Sequence, residues 1–539
     1  MSPTVRQRSQ LLRFTLWSIV SLAVLACLGF VFESINVTRN VSTWDWDARI
    51  LRLVALGAAN LFFTGLLAMM GALYFWSRVA RSLPDLQGWH TEQPVSEFSA
   101  AQVGRDFSWD DYQQGERQVF RELDALASDS WSRDSAENYC RYRPQSESNP
   151  KRILDRDWNQ SHVVTAKNPV GGVVLLHGLS DSPYSLRAIG ERLVEEGYSV
   201  LWLRLPGHGT SPGALTQVTR EDWSAAVSVA VRGMRDQLPS GAPLVLCGYS
   251  NGGALSLDYA AEAVEEESLP NVDAVVLFSP MIGVNPLARI TRLYHTVGLI
   301  SRDPKSKWSN ICAEVDPFKY SSWPMNANVQ AWAVTRAVER KLTKLRKAGR
   351  MNELPPVLAM QSVVDSTVVV PKLMTNLFER LSSPASELFL FDVNRMESLS
   401  NLVNLSFEKS VLPHLARSDR SYRLSVLANV RPDSSQILLR TWEGDASWDH
   451  PVEAEWPKGF VSLSHVAVPI PPDDPVYGAS PAPDTIPLGT IRMRAEPGAL
   501  MIPDSLFVRA RYNPFYELME QHVVQWLSQF VTTKSRQLP

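Results

Sequence analysis

The sequence lacks the features that mark nucleic-acid-binding, metal-dependent or disulfide-rich proteins. Its net charge is −3 at pH 7 over 539 residues, so no excess of basic residues favours binding to nucleic acid. The cysteines have no metal-ligand spacing, and two of the four lie in apolar stretches, so a disulfide framework is not expected (Cys27, Cys140, Cys247 and Cys312). H-E-x-x-H, a Walker loop and internal repeats are also missing. We therefore expect neither a metal nor a cofactor.

Charged residues are missing from two stretches near the N-terminus, residues 14–32 and 53–76. At 1.5 Å per helical residue, both are long enough to cross a hydrocarbon layer about 30 Å thick. The pattern predicts a two-helix transmembrane hairpin within residues 1–81. A cleaved signal peptide is the alternative for the first stretch, because several arginines precede it.

The arginines around these stretches predict an orientation. Five flank the outer ends and three lie in the loop between (Arg6, Arg8, Arg13, Arg78 and Arg81; Arg39, Arg49 and Arg52). Under the positive-inside rule this contrast favours cytoplasmic termini. We expect a bacterial inner-membrane protein in contact with membrane lipids, with the rest of the chain in the cytoplasm.

A polar segment, residues 82–150, follows and is predicted to be a partly helical connector. Within it, residues 108–128 have the pattern of an amphipathic helix that begins at Ser108.

Residues 151–539 contain the pattern of an α/β domain. The stretch 171–213 reads as strand, helix and strand with short links, which is typical of a parallel sheet. Further apolar strands are predicted at 272–280 and 355–365. Their nearly continuous hydrophobicity indicates a sheet covered on both faces.

One short stretch, "LVLCGYSNGGALSLDYA" at 244–260, points to chemistry. An apolar strand ends at Ser250, which lies between Gly248 and Gly252, and a helical pattern follows. A serine on such a tight strand-to-helix turn projects its hydroxyl from the sheet edge, beside the positive end of the helix. A plain turn is the alternative, and the flanking strand and helix favour a nucleophile elbow.

Four motifs, "HGLSDSP", "PGHG", "GYSNGG" and "SVVDSTV", occur in the order found in the α/β-hydrolase superfamily. The chain resembles bacterial carboxylesterases and monoacylglycerol lipases, which are often grouped with serine aminopeptidases. The resemblance covers residues 165–285 and 350–395. It implies a mostly parallel sheet flanked by helices, with a cap insertion.

The resemblance also implies roles for matching residues. Ser250 would be the nucleophile, and the backbone N–H groups of Leu179 and Asn251 would form the oxyanion hole. Asp365, at the end of a late apolar strand, would be the acid, with Asp392 in reserve. His177 and His208 are interpreted as residues that shape their loops.

The histidine of the triad is harder to place. The family usually has it directly after the last strand, here 386–393, but "NRMESLS" follows instead. We interpret residues 394–460 as an insertion. Within it, residues 422–430 and 435–443 can form a hairpin, and residues 449–450 are expected to lie in a charged loop. His465 is preferred over His414 and His450 because an apolar strand leads into its small polar turn.

A cap is expected at 285–350, with a basic helix that ends at Gly349. The basic side chains of this helix are interpreted as a solvated face, with contact to anionic headgroups as the alternative. Residues 517–531 should form a closing amphipathic helix.

These patterns together predict a membrane-anchored serine hydrolase that cleaves carboxylic esters through an acyl-enzyme. Acylglycerol or lysolipid esters are the expected substrates, because a membrane anchor would place the active site near lipids. An acyltransferase or a peptidase with the same triad, or a non-catalytic membrane scaffold, are the alternatives. The oligomeric state is left open.

Overall fold

The structure, a computed structural model, describes residues 25, 29, 35, 46–131, 139–283, 303–365, 368, 370–400, 408–415, 417, 419–483, 485–490 and 510–535. They divide into two compact units. The first contains the described residues up to 85 together with 303–311. The second contains all the others.

The first unit is built around one long helix, α1 (Trp46–Arg81). The indole Nε1 of Trp76 donates a hydrogen bond to the Ser306 carbonyl at 3.0 Å. The Lys305 ammonium lies 2.6 Å from an Asp85 carboxylate oxygen. These contacts join the C-terminal part of α1 and the residues after it to the segment that leads to β6 (Trp308–Asn310).

The predicted transmembrane hairpin is not supported. In the described part of the chain, no helix combines the length and apolar character that crossing a bilayer requires. The second predicted span, 53–76, lies inside α1. The first, 14–32, falls outside the described residues except for positions 25 and 29.

The second unit is organised around a ten-stranded sheet with the strand order β1-β3-β2-β4-β5-β8-β9-β10-β11-β12. From β3 to β10 neighbouring strands run parallel, whereas β1, β11 and β12 are antiparallel to their neighbours. The strands of this unit are β1 (His162–Val164), β2 (Gly172–Leu176), β3 (Ser199–Leu203), β4 (Leu244–Tyr249), β5 (Ala274–Phe278), β7 (Trp323–Pro324), β8 (Val357–Ser362), β9 (Glu387–Phe391), β10 (Arg423–Asn429), β11 (Gln436–Glu443) and β12 (Ala446–Glu455).

Helices cover both faces of this sheet. The helices of this unit are α2 (Gly88–Thr91), α3 (Trp109–Leu126), α4 (Pro150–Ile153), α5 (Arg187–Glu195), α6 (Arg220–Gln237), α7 (Asn251–Glu265), α8 (Met325–Lys347), α9 (Val370–Asn376), α10 (Glu408–Leu415) and α11 (Tyr516–Ser535). Alternate residues of β2 belong to two different hydrophobic clusters, Val174 to one and Val173 to the other. This explains why the central strands are apolar throughout. The predicted mostly parallel α/β sheet is confirmed.

The segment expected to be a connector contributes to one of these clusters. α3 begins at the N-cap Ser108, whose hydroxyl accepts a hydrogen bond from the Asp111 amide at 3.2 Å. Trp109 and Tyr112 are buried in the cluster that contains Val174. The helix therefore packs as part of the sheet's hydrophobic core.

The insertion after β9 extends the sheet. Strands β10 and β11 form the expected hairpin, and β10 pairs in parallel with β9. Residues 449–450, expected in a loop, instead lie in β12, which pairs with β11 and makes the exposed edge. The ends of the insertion meet, because Asn394 donates to the carbonyls of Val461 at 2.8 Å and Phe460 at 3.0 Å.

The basic helix expected in the cap is α8, and it ends just before Gly349, whose φ is +68°. Several of its cations form ion pairs: Lys341 with Asp258 at 2.8 Å and Lys344 with Glu265 at 2.9 Å, both on α7. Part of the predicted solvated face is therefore paired with α7. The part of the expected cap at 284–302 lies outside the described residues.

Candidate active site

Ser250 lies at a strained turn between β4 and α7. Its φ of 54° and ψ of −112° place a non-glycine residue in a backbone region that costs about 1–3 kcal/mol. Two hydrogen bonds hold the turn. The Ser250 amide donates to the Phe278 carbonyl at 3.0 Å, and the Met281 amide donates to the Ser250 carbonyl at 2.9 Å. The carboxyl end of β5 thus braces the turn.

The glycines on either side of Ser250 are required by close backbone contacts. A Cβ on Gly252 would lie 1.9 Å from the Leu176 carbonyl oxygen, and one on Gly248 would lie 2.4 Å from the Gly252 carbonyl oxygen. Neither contact can be relieved by a side-chain movement, because each involves backbone atoms. The G-x-S-x-G spacing therefore reflects the tight packing of α7 against β2 and β4.

The structure brings Ser250, His465 and Asp365 into one hydrogen-bonded chain. His465 Nε2 lies 2.9 Å from Ser250 Oγ, and His465 Nδ1 lies 2.7 Å from Asp365 Oδ2. The Val368 amide donates to the other Asp365 oxygen, Oδ1, at 3.0 Å. A carboxylate at Nδ1 assigns the proton to that nitrogen, which leaves Nε2 as the acceptor for the serine proton.

His465 reaches this position because the insertion returns to the edge it left. Asn394 follows β9 and is hydrogen-bonded to Phe460 and Val461, which places the chain beside the carboxyl end of β9 shortly before His465. The Ser464 hydroxyl donates to the Ala510 carbonyl at 2.6 Å. The Tyr249 ring packs against the His465 imidazole, with 5.4 Å between ring centroids.

The competing candidates have other partners. His414, on α10, lies 2.7 Å from a Glu379 carboxylate oxygen. His450 is exposed on the edge strand β12, opposite Leu439. Asp392, the reserve acid, is hydrogen-bonded to the Arg395 guanidinium at 3.1 Å. None of these contacts involves Ser250.

The loop expected to supply the oxyanion hole begins where β2 ends. Leu179 lies in this loop, and Asn251 is the first residue of α7, where backbone N–H groups have no intrahelical partner. The near-contact between Gly252 and the Leu176 carbonyl shows that the start of α7 packs against the start of this loop. The two residues therefore lie on adjoining segments.

His177 shapes this loop. Its Nδ1 lies 2.8 Å from the Gly178 carbonyl, and its Nε2 accepts a hydrogen bond from the Leu205 amide at 3.0 Å. Burial, aided by the neighbouring His208, lowers the pKa of His177 well below its usual value. Burial also lowers the pKa of His208 to about 3. Both imidazoles are therefore neutral near pH 7.

The loop that follows β2 makes two further contacts, which no pattern in the sequence predicted. The Lys319 ammonium lies 2.6 Å from Asp181 Oδ1, and the Tyr320 amide donates to the Ser180 carbonyl at 2.9 Å. Burial raises the pKa of Asp181, and Lys319 opposes that shift. Residues 319–320 therefore brace the loop from outside the sheet.

Gln361 was also missed, although the sequence carried a signal. It is a polar residue near the end of the buried strand β8, four positions before Asp365, and its Nε2 donates to Asp365 Oδ2 at 2.6 Å. As for metals, the described ranges contain no group of three or more His, Cys, Asp or Glu side chains arranged to hold an ion.

Comparison with known proteins identifies the region around this site. Residues 167–391 match the family model described as "Serine aminopeptidase, S33". This region is a serine hydrolase domain with the α/β-hydrolase fold. The resemblance predicted from the four sequence motifs is confirmed. The hydrolase domain thus includes the turn at Ser250, the loop expected to supply the oxyanion hole, and Asp365 with the strand that precedes it, whereas His465 lies beyond the matched residues.

Individual relatives of the hydrolase domain include lipases. The chain is 23% identical over 254 residues to the thermostable monoacylglycerol lipase of Bacillus sp. (strain H-257), a match covering 46% of this chain and 89% of that protein. A solved monoacylglycerol lipase of Paleococcus ferrophilus is 20% identical, with coverage of 43% and 89% and a TM-score of 0.32. A soluble variant of monoglyceride lipase from Saccharomyces cerevisiae, solved with a substrate analogue, is 16% identical, with coverage of 43% and 82% and a TM-score of 0.33.

Proposed function

We propose that this serine hydrolase cleaves carboxylic esters through an acyl-enzyme formed on Ser250. His465 is the general base, Asp365 orients it, and the N–H groups of Leu179 and Asn251 bind the oxyanion. The observation that carries the proposal is the continuous hydrogen-bonded chain from Ser250 Oγ through His465 to Asp365, which starts at a strained turn. The catalytic roles themselves stay a prediction.

The reaction follows from this geometry. As Ser250 Oγ attacks the ester carbonyl carbon, His465 Nε2 accepts its proton, and the Asp365 carboxylate stabilises the resulting imidazolium. Negative charge develops on the carbonyl oxygen, where a pair of backbone donors lowers the barrier by about 3–4 kcal/mol each. His465 then protonates the leaving alcohol. A water molecule, deprotonated by His465, releases the acid and regenerates Ser250.

The proposed substrates are acylglycerol or lysolipid esters. The Bacillus relative, named as a monoacylglycerol lipase, supports this class. A peptidase is the second candidate, because the matching family model is described as a serine aminopeptidase. An aminopeptidase needs an anion for the substrate ammonium. Asp181, a carboxylate on the loop that follows β2, is already paired with Lys319 at 2.6 Å. That pairing favours the ester substrate.

A substrate panel tests this proposal. Purified protein should release fatty acid from a monoacylglycerol or a lysophosphatidylcholine at least about tenfold faster, in kcat/KM, than it releases amine from an aminoacyl anilide; tenfold corresponds to about 1.4 kcal/mol. The Ser250→Ala protein sets the background for each substrate. Faster amide cleavage would contradict the ester assignment. Transfer of the acyl group to added glycerol in preference to water would identify an acyltransferase instead.

We also propose that the hydrolase domain faces the cytoplasm of a membrane-attached protein. The arginine contrast around residues 14–32 and 53–76 supports this orientation. A single cysteine introduced between residues 34 and 44 should react with an impermeant thiol reagent added to intact cells, and one introduced at the exposed Trp448 should not. The unaltered protein, with its native cysteines, is the control. The reverse pattern, or recovery in the soluble fraction, would contradict the proposal.

A further inference from the structure

Gln361 is an uncharged amide buried beside the proposed acid. It lies in β8 between β5 and β9, and its side chain is fully buried. Its neighbours in the strand are apolar up to this position, from Val357 to Met360. A buried amide in such a strand loses its hydration, so a polar side chain is retained here only where its partner compensates for that loss.

The partner of Gln361 is the carboxylate that also binds the histidine. Gln361 Nε2 and His465 Nδ1 lie 2.6 Å and 2.7 Å from the same atom, Asp365 Oδ2. The Val368 amide binds Oδ1 at 3.0 Å. Donors on both oxygens prevent the carboxylate from rotating about its Cβ–Cγ bond. His465 must approach Oδ2 from a fixed direction. Restraining the carboxylate therefore also restrains the orientation of the proposed general base.

The Asp365 carboxylate determines which end of the Gln361 amide is the nitrogen. Exchanging Oε1 and Nε2 would bring an oxygen against the Asp365 carboxylate, which repels it. In the observed orientation, Oε1 is buried and has no hydrogen-bond partner among the described residues. The side chain therefore satisfies the carboxylate and leaves its own carbonyl unsatisfied. An unsatisfied buried carbonyl of this kind is expected where the amide is retained for the hydrogen bond that its nitrogen donates to a neighbouring group.

We propose that Gln361 is a positioning residue that holds the Asp365 carboxylate with Oδ2 directed at His465. The proposal rests on the triad assigned above. Gln361 is fully buried and donates its hydrogen bond to Asp365 and not to Ser250, and it neither gives up nor gains a proton. Its amide donates to the carboxylate in every step, which keeps the acid ionised and correctly turned while the imidazolium forms.

Two other charged groups near the triad, both in the described part of the protein, are paired. Asp181, whose charge interacts with His465, is bound to Lys319, and Asp392, at the end of the neighbouring strand β9, is bound to Arg395. A change in the pH profile of a Gln361 variant can therefore be ascribed to the variant residue, Asp365 and His465.

Two substitutions separate positioning from packing. Gln361→Met keeps the approximate volume and removes the donor. It should lower kcat and the rate of fluorophosphonate labelling about 10- to 100-fold, the range seen when supporting hydrogen bonds to functional side chains are removed at metal sites. KM should change less than about twofold, because a group remote from the substrate does not contribute to its binding.

Gln361→Glu supplies the decisive pH readout. Two carboxyl groups at hydrogen-bond distance share one proton and hold it to a higher pH than an isolated carboxyl group. While protonated, the introduced carboxyl donates to Asp365 as the amide did. Once it ionises, the donor is lost and the two charges repel. The ratio of variant to wild-type kcat/KM should therefore fall as pH rises, whereas the deficit of Gln361→Met should be present at every pH.

Ser362→Ala is the matched control. Ser362 is the next residue of β8 and is buried, and its hydroxyl has no partner among the described residues, so its loss should leave activity within about twofold. Wild-type kcat in Gln361→Met, or a Glu variant whose activity ratio does not change with pH, would overturn the inference. If the Met variant does not fold, the Glu profile alone decides. Inactivity of the wild-type protein would instead contradict the proposed function.

Discussion

Replacing Ser250 with alanine should abolish both ester turnover and labelling by a fluorophosphonate. The substitution removes Oγ, the atom that attacks the ester carbonyl carbon and that lies 2.9 Å from His465 Nε2. In a comparable triad, loss of the serine costs about 10⁶ in kcat. The backbone hydrogen bonds of the turn do not involve this hydroxyl. Because serine and alanine both carry a Cβ, the positive φ is no more strained in the variant, and the fold should be retained.

The control for this experiment is another buried serine of the same segment. Ser256, on α7, donates its hydroxyl to the Gly252 carbonyl at 2.8 Å and has no contact with His465. Ser256→Ala should label as the wild-type protein does. Labelling and ester turnover are measured on purified protein, with circular dichroism to verify folding. Equal labelling of Ser250→Ala and wild type would show that Ser250 is not the nucleophile.

Replacing His465 with alanine should reduce kcat/KM by at least about 10³. Without the imidazole, no other group among the described residues is hydrogen-bonded to Ser250 Oγ to accept its proton, and the charge of Asp365 no longer acts on the reaction. Labelling should slow in parallel, because the fluorophosphonate also requires an activated serine. KM is not expected to account for the loss, since His465 acts mainly in the transition state.

The histidines His414 and His450 serve as matched controls for this substitution. His414 is occupied by Glu379, and His450 lies on the exposed edge strand. His450→Ala should therefore keep nearly full activity. His414→Ala should also keep nearly full activity, provided that the variant folds. A loss of 10³ in either variant, with His465→Ala near wild type, would place the base elsewhere and leave the elbow assignment intact.

The features that the sequence predicted well are encoded within short segments. The strand, turn and helix around Ser250 lie within about 20 residues, and the steric demands at Gly248 and Gly252 arise between atoms of that segment and β2. The apolar strands β2, β4, β5, β8 and β9 were predicted for a similar reason. A strand covered on both faces is mostly apolar along its length, and that pattern is visible without knowledge of its neighbours.

Predictions made from one segment alone were less accurate where contacts with other segments determine the structure. The apolar stretch at 53–76 suggested a membrane span, and the structure has no such span in its described residues. The charged residues 449–450 suggested a loop, yet they lie within β12. An edge strand exposed on both faces has no hydrophobic alternation to identify it. Only its pairing with β11 makes it a strand.

By itself, the sequence determined the α/β class, the elbow at Ser250 and the strand that ends near Asp365, since each follows from residues that are close in the chain. The tertiary structure alone decided which histidine meets them. His465 is 215 positions from Ser250 and 100 from Asp365, and it arrives there because Asn394 joins the two ends of a strand-forming insertion. It also decided the contacts of Gln361 with Asp365 and of Lys319 with Asp181. The direction of a buried side chain depends on strand register and on contacts across the sheet edge, and no periodicity in the chain records those contacts.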